Sequence, residues 1–416
     1  MLENKLILRP ITTVNEFLKL YNGDFTSNLK NLLDLDFEIE SDHQTQRICP
    51  VIELAKEEDA DEIVNIFKNV YKGVYPYKRL EDPKHVRDMI LDSHYHWFLF
   101  KINKTEVVGS CAAYLEFDKK RGLIFGYAIK RNYRKCIDIF KAFVGCVLYL
   151  WKTYKNTIYV WYGEVRTNDK IPQYLTSLCG LKPIAFFPNK DIFINNIESD
   201  FMHIIYDEDA LTKFRSRKAP KIIRQVLNCF SYSNNRFNID NPLIENPKIN
   251  LNSNRIIKLN NSLYKKTEKD KFKNVLIHLG FKNSKSYIEF LYNKFNKSIE
   301  KTKYKVNNLE ELHVFIEEIV QIIAKLKIRY FEIFVSSYKP SHQKMFLNRG
   351  FKPRGYIFSW NYDELKKCFQ DYIVFNYYEG VIFDQNIKLI SESSELLKFL
   401  NFPIKTIKNN SDLSSD

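Results

Sequence analysis

"GEVRTNDKIPQYLTSLCGLKP" (Gly163–Pro183) and "FEIFVSSYKPSHQKMFLNRGFKP" (Phe331–Pro353) share one plan. In each, a Glu (Glu164, Glu332) stands eight positions before a Pro (Pro172, Pro340), and a short apolar segment then leads to Gly-apolar-Lys-Pro. The flanks match as well. "TIYVWYGEV" and "YFEIFVSSY" precede these stretches as short buried strands, being apolar runs rich in aromatic and β-branched residues. "KPIAFFP" with "DFMHIIY", and "KPRGYIFSW" with "DYIVFNYYEG", follow as strand pairs. Pro183 lies 17 residues before Asp200, and Pro353 lies 18 before Asp371. The order strand, helix, strand, strand at near-constant spacing predicts an internal duplication whose first copy is the more complete.

Working outward, "CPVIELA" alternates as a strand does, and "KEEDADEIVNIFKNVY" sets Ile63, Ile66, Phe67 and Val70 on one helical face. "YHWFLFKI" and "EVVGSCAAYLEF" read as a hairpin, and "GLIFGYAI" as the next strand. A basic turn, "IKRNYRK", leads into the helix "CIDIFKAFVGCVLYLWK". The predicted order is β-α-β-β-β-α-β-α-β-β. In the second half "KYKVNN" enters a helix in which Asn308 caps the first turn and Glu311, three residues on, completes a capping-box pattern. The predicted division is an N-terminal segment 1–45, a domain 46–210, an Asn/Ser/Pro-rich linker 211–255, a second domain 256–400 and a polar tail 401–416.

The 416 residues suffice for two or three domains with their own cores, and the apolar and charged fractions are those of a globular chain. No run of eighteen apolar residues is present, and the first residues lack a signal-peptide core. Seven scattered cysteines without a CxxC pair fit reduced thiols in a cytoplasmic protein, not a disulfide scaffold or a zinc site. The net charge of +14 is spread along a Lys-, Asn- and Ile-rich chain, densest at Lys119–Gly122, Ile129–Lys135 and Lys213–Lys221. Charge alone therefore does not argue for nucleic acid, whereas a phosphate-bearing ligand needs only one such patch.

The series strand, basic turn, helix, strand, short helix, "GLKP", strand, strand resembles the GNAT superfamily of N-acetyltransferases, over residues 49–210 and, in part, 300–380. The resemblance implies an α/β fold of two GNAT-like domains, each a mixed, mostly antiparallel twisted sheet flanked by helices. It also implies acetyl-CoA or another acyl-CoA as co-substrate and no metal. In that family the turn after the fourth strand binds pyrophosphate through backbone N–H groups and a helix N-terminus. The matching residues here are Ile129, Arg131, Tyr133, Arg134, Lys135, Cys136 and Ile137, and Asn168 falls beside the expected pantetheine arm. The family's turn is glycine-rich, whereas Lys135, Cys136 and Asp138 stand here, so the resemblance shifts phosphate binding onto Arg131, Arg134 and Lys135. In the second copy "KYKVNNLEEL" has no basic cluster and two acids in the first helical turn, which suit a bare helix end and not a phosphate.

Acyl transfer to an amine needs a base for the ammonium and an acid for the leaving thiolate. Glu164, ending a strand beside the expected thioester, is the first candidate base, and Glu116 on the preceding hairpin is the second. The family's common acid position is Thr176 here, so Tyr174 is the nearest candidate acid. Tyr75 and Tyr77, around Pro76, are candidate acceptor-pocket residues. Glu198 and Asp200, in "NKDIFINNIESD" between the last two strands, are candidates to hold a cationic acceptor. His94 and His96 make no metal site without a third ligand.

The function these features imply is transfer of an acyl group from CoA to a small-molecule or peptide amine, by a protein with no membrane partner. Two alternatives stay open. A Fem-type aminoacyl transferase also has two GNAT-like halves and takes aminoacyl-tRNA, the one nucleic-acid partner considered. A non-catalytic CoA-sensing or protein-interaction module would account for the missing loop glycines.

Overall fold

The computed structural model describes residues 11–20, 48, 50–103, 105–239 and 241–405. Its first half comprises α1 (Val14–Leu20), β1 (Val51–Leu54), α2 (Ala60–Tyr71), α3 (Pro83–Leu91), β2 (Tyr95–Ile102), β3 (Glu106–Glu116), β4 (Arg121–Ile129), α4 (Ile139–Thr153), β5 (Val160–Arg166), α5 (Lys170–Leu178), β6 (Lys182–Phe193) and β7 (Asn196–Tyr206). A connecting region holds α6 (Glu208–Leu211), β8 (Lys221–Ile222), α7 (Leu227–Phe237) and β9 (Leu243–Ile244). The second half comprises α8 (Ser253–Ser262), β10 (Leu263–Lys269), β11 (Val275–Phe281), β12 (Tyr287–Asn293), β13 (Ser298–Lys305), α9 (Leu309–Leu326), β14 (Tyr330–Ser336), α10 (Pro340–Asn348), β15 (Lys352–Asp363), β16 (Cys368–Tyr378) and α11 (Ser391–Phe399).

These strands form a fourteen-stranded mixed sheet in the order β1-β2-β3-β4-β5-β7-β6-β15-β16-β14-β13-β12-β11-β10. Seven strands on each side of the centre follow one order, read outward from β6 and from β15. In each half a single parallel pair, β4 with β5 or β13 with β14, interrupts the antiparallel ladders. The halves meet where Gly355 pairs with Ala185. A Cβ at Gly355 would lie 2.3 Å from the Ala185 Cβ, so only glycine permits this approach.

Both halves bend their central hairpin in the same way. Between Phe187 and Asp191 three residues of β6 oppose Ser199 alone, and between Ile357 and Asn361 three residues of β15 oppose Asp371. Each bulge carries a left-handed residue, Asn189 (φ 52°) and Ser359 (φ 48°). Its N–H donates to the residue it opposes, at 2.9 Å to Ser199 Oγ and 3.0 Å to Asp371 Oδ1. Bulges re-aim side chains, and here they re-aim Lys190 and Trp360. The halves also grip each other's outgoing chain. Gln173 Nε2 donates to Arg166 O at 3.2 Å and to Lys388 O at 2.7 Å, while Gln343 Nε2 donates to Ser336 O at 3.2 Å and to Lys221 O at 3.0 Å.

Local chemistry explains the elements. Ile63, Ile66, Phe67 and Val70 of α2 are buried as their spacing predicts. Asp82 caps α3 by accepting from His85 N–H at 2.9 Å, with Pro83 at the first position. Asn308 caps α9 through Glu311 N–H at 3.0 Å, but Glu311 reaches back to Asn307 N–H at 2.8 Å, one residue before the cap. Glu311 also accepts from Ser284 and Ser286, so this helix start is closed by its own chain.

Three expectations change. The N-terminal segment contains α1, whose Phe17 stacks edge-on against Trp151 at 4.5 Å. The region read as a linker contains α7, which buries Cys229, Phe230 and Tyr232, because polar Asn and Ser on its outer face mask a short apolar stripe. The repeat was also read two residues out of register. Pro172 is the third residue of α5, whereas Pro340 opens α10, and Glu332 faces Asn376 as Tyr162, not Glu164, faces Ile204. Among the described residues no helix is long and apolar enough to cross a membrane.

Candidate active site

Strands β4 and β5 pair only from Arg121 opposite Val160 to Ile124 opposite Gly163, and then part. Just beyond, Gly126 (φ 67°) bulges β4 away from β3, with Gly126 and Tyr127 opposing Cys111 alone. Bulge and divergence open a cleft whose one wall is β5 with Glu164 and Arg166.

At the far end of β4 the basic turn is engaged with its own surroundings. Arg131 Nη2 donates to Val70 O at 2.7 Å, Tyr133 OH to Glu106, and Arg134 Nε to Ile129 O at 3.3 Å. The N–H groups of Cys136 and Ile137 donate to Tyr133 O, both at 3.1 Å, and that of Asp138 donates to Ile48 O at 2.9 Å. The Asp138 carboxylate caps α4, accepting from Phe140 N–H at 3.1 Å and Lys141 N–H at 3.0 Å. A carboxylate thus holds the positive helix end that the resemblance assigns to pyrophosphate. Ile129 and Ile137 are buried core residues. Arg134, Lys135 and Cys136 are exposed, and of these the two cations remain suited to an anion.

The inner end of the cleft holds a charge cluster drawn from both halves. Lys190, re-aimed by its bulge and 1% exposed, places Nζ 2.8 Å from both oxygens of Glu164, 3.2 Å from Glu332 Oε2 and 3.9 Å from Glu300 Oε2. Burial opposes its charge, but Glu164, Glu332 and Glu300 outweigh burial and hold the ammonium well above the ordinary lysine range. Burial pushes Glu332 up to about 7 against the pull of Lys190. Asp191 is raised well above the usual carboxylate range by burial and by Asp200, and it accepts from Tyr77 OH at 3.0 Å and Asn296 Nδ2 at 2.5 Å. Asp200 is 3% exposed, and its Oδ1 is buried without a hydrogen-bond partner. Burial, with Glu164 nearby, pushes Asp200 up to about 7.

Towards the mouth, Arg166 makes a two-pronged pair with Glu198 at 2.7 Å and 2.7 Å and lies 3.9 Å over the Phe193 ring. Asn168 Nδ2 donates to the same Glu198 at 3.1 Å. Tyr71, Tyr75 and Tyr77 form an aromatic series, with centroids 4.4 Å and 5.8 Å apart, and Tyr71 and Tyr75 pack against the same Phe193 ring at 5.9 Å and 6.1 Å.

The structure therefore brings Glu164, Asp200, Glu198, Tyr75, Tyr77 and Asn168 to one cleft. It removes Glu116 as a base: Arg121 and Lys119 hold its carboxylate and, against burial, push it down to about 2. Tyr174 stands exposed on α5. Thr176 is buried, its hydroxyl 2.8 Å from His203 Nδ1. The stretch between the last two strands is itself hairpin, so Asp191, Glu198 and Asp200 are buried strand residues. Lys190, Glu300 and Asn296 were missed, and Glu332 was singled out only as a mark of the repeat. Only their places in the fold reveal them, since Lys and Asn are frequent throughout the chain. Among the described residues no group of three or more His, Cys, Asp or Glu side chains is arranged to hold a metal ion.

No family model matches the chain, and no curated protein matches it. Part of the chain is similar to solved N-acetyltransferase structures. The ribosomal-protein-S18-alanine N-acetyltransferase from Escherichia coli matches at 14% identity and a TM-score of 0.31, over 38% of this chain and 93% of its own. A spermidine N-acetyltransferase variant from Vibrio cholerae matches at 12% identity and 0.33, over 39% of this chain and 97% of its own. The ribosomal-protein-S5-alanine acetyltransferase from Vibrio fischeri matches at 14% and 0.33, over 42% and 97%.

Proposed function

We propose that this chain is an N-acyltransferase of tandem GNAT-like build, taking an acetyl or other acyl group from CoA to an amine. The observation that carries the reading is Asp200, a buried carboxylate with an unpartnered oxygen beside the cleft where β4 and β5 part. Both oxygens of Glu164 are occupied by Lys190, so Glu164 sets the local field and Asp200 is the proton acceptor. Its position near 7 suits a base working at neutral pH.

CoA supplies the acyl group as a thioester. Arg134 and Lys135 fit its phosphates by ion pairing, since the turn's N–H groups from Cys136 to Asp138 are used within the chain. An acceptor ammonium entering past Tyr75 and Tyr77 gives a proton to Asp200. The neutral amine then attacks the carbonyl carbon, forming C–N as C–S breaks, and the further proton that the nitrogen loses passes through water to the departing thiolate. The second half, with its self-closed helix start, completes the acceptor side through Glu300, Glu332 and Asn296 and binds no CoA.

Thermal melting with acetyl-CoA tests this. Ligand at about 100 times its dissociation constant adds roughly 2.7 kcal/mol, several degrees for a domain. A rise in the wild type that Arg134→Glu loses supports the reading. No shift with acetyl-CoA, CoA or longer acyl-CoAs sinks it. One observation favours a second reading, a non-catalytic CoA-sensing module: the turn is satisfied by its own chain. Binding of acetyl-CoA without CoA release in the presence of amines would select it.

A further inference from the structure

The two halves differ in what covers their outer strands. In the first half the chain between β1 and β2 forms α2 and α3, whose Ile63, Phe67 and Met89 share a core with Trp97, Leu99 and Ala112 of the sheet. In the second half residues 270–274 alone join β10 to β11. Helix α9 packs on the opposite face, where Phe315 stacks on Phe281 at 4.6 Å. The face that α2 and α3 occupy in the first half is therefore open on β10–β13. Register sets two rows across it, Tyr264, Gly280, Tyr287 and Lys305 in one, and Lys266, His278, Glu289 and Lys303 in the next. Every side chain in these rows is half-exposed or exposed.

The rings on this face lie along it. Tyr264 crosses Gly280, where a Cβ would meet the tyrosine oxygen at 2.6 Å and the ring carbon beside it at 2.7 Å, so glycine leaves the ring its place. The His278 ring follows with its centroid 6.0 Å away and its plane 24° from that of Tyr264. Tyr287 comes next, 5.7 Å and 11° from His278. Three neighbouring, nearly parallel rings make a platform.

The platform stands in the most basic part of the chain. Residues 263–305 hold twelve lysines against four acids, a net +8 of the chain's +14 in about a tenth of its length. On the face itself Lys266, Lys303 and Lys305 are exposed and form no ion pair among the described residues. Lys266 Nζ lies 5.5 Å over the Tyr264 ring. Of the acids, Glu289 is 3.5 Å from His278 Nδ1, and Glu268 stands on the edge strand. A second copy on the same face would set like charges together, and rings that lie along a sheet do not project into a bilayer. Bases stack on such rings while flanking ammonium groups meet phosphates.

We propose that the open face of β10–β13 binds single-stranded nucleic acid, with bases on Tyr264, His278 and Tyr287 and phosphates at Lys266, Lys303 and Lys305. This does not rest on the acyl-transfer reading, since neither Asp200 nor the basic turn takes part.

The test is fluorescence anisotropy of the full chain with labelled oligouridylate and oligothymidylate of about twelve nucleotides, and with a duplex of the same length. We expect half-saturation by either strand on the order of 10 μM at low salt, and weaker binding of the duplex, whose bases are not free to stack. A preference between the two strands assigns RNA or DNA, and equal binding assigns single strands of both kinds. Tyr264→Ala and Tyr287→Ala should each weaken binding about tenfold and leave its salt slope unchanged. Tyr264→Phe and Tyr287→Phe keep the rings and should bind as the wild type does, which separates stacking from loss of fold. Lys303→Gln with Lys305→Gln should instead flatten the salt slope by about one. No anisotropy change with either strand, a duplex bound as tightly as a single strand, or alanine variants that bind like the wild type would overturn the proposal. Co-sedimentation with phosphatidylserine vesicles that depends equally on Tyr264 and Tyr287 would also overturn it, in favour of a membrane surface.

Discussion

Lys190 Nζ bridges Glu164, at 2.8 Å from both oxygens, and Glu332, at 3.2 Å, so one buried ammonium ties together carboxylates from the two halves of the sheet. Removing a single partner from such a buried set strands the remaining charges, typically at about 3–5 kcal/mol. Lys190→Met should therefore lower stability by about that much in urea unfolding. Adding Glu164→Gln and Glu332→Gln should restore most of the loss. A Lys190→Met variant as stable as the wild type would show that the cluster does not hold the halves together.

The centre of the sheet offers a steric counterpart. Gly355→Ala brings a Cβ to 2.3 Å from the Ala185 Cβ and 2.6 Å from Ile184 O. Overpacking of this kind costs about 1–3 kcal/mol. Thermal melting should show the loss, and Ala185→Gly should recover part of it, because a side-chain contact yields while the backbone oxygen does not. A neutral Gly355→Ala would mean that β6 and β15 are free to separate.

The cross-grip of the glutamines predicts a paired effect. Gln173→Ala leaves Lys388 O without its 2.7 Å donor, and Gln343→Ala leaves Lys221 O without its 3.0 Å donor and Ile223 N–H without an acceptor. A buried group left unsatisfied costs about 1–3 kcal/mol, which applies in full to Ile223 N–H and in part to the half-buried carbonyls. Both variants should be destabilised, and hydrogen exchange should quicken in the segment gripped from the other half. Exchange that quickens only in the mutated helix would refute the reciprocal arrangement.

What was legible in the sequence followed from local chemistry. The punctuation around Gly180 and Gly350 marks real helix ends, at positive φ in both copies. The apolar faces of α2 and α9 are set by helical spacing alone. Strands β10 to β12 were not legible, because sequences such as "LYKKTEK" at the sheet edge expose most of their residues and carry no clean alternation. Of the cluster, Glu164 was read as a base and Asp200 as a residue to hold a cationic acceptor, from their places beside the repeat. Lys190 was not legible, since its function depends on a bulge that no residue pattern in "FPNKD" announces. Asp138 was read only as a departure from the glycine-rich turn, and is the cap that closes it.

Asp200 gives the pH prediction. Its folded-state position, pushed up to about 7 by burial and then by Glu164, lies above the unfolded carboxylate value of about 3.9. Between these values the folded chain binds more protons than the unfolded one, so this group's contribution falls as pH rises from about 4 to about 7. Glu332, also near 7, acts in the same direction. Asp200→Asn removes the penalty, so its melting midpoint should exceed that of the wild type at pH 8. The difference should shrink towards zero near pH 4, at a scale of about 2–4 °C per kcal/mol. The same substitution should abolish amine-dependent CoA release if Asp200 is the proton acceptor, whereas Glu164→Gln should leave a residual rate. A midpoint difference independent of pH would show that Asp200 is charged throughout, and the base would then have to be sought elsewhere in the cleft.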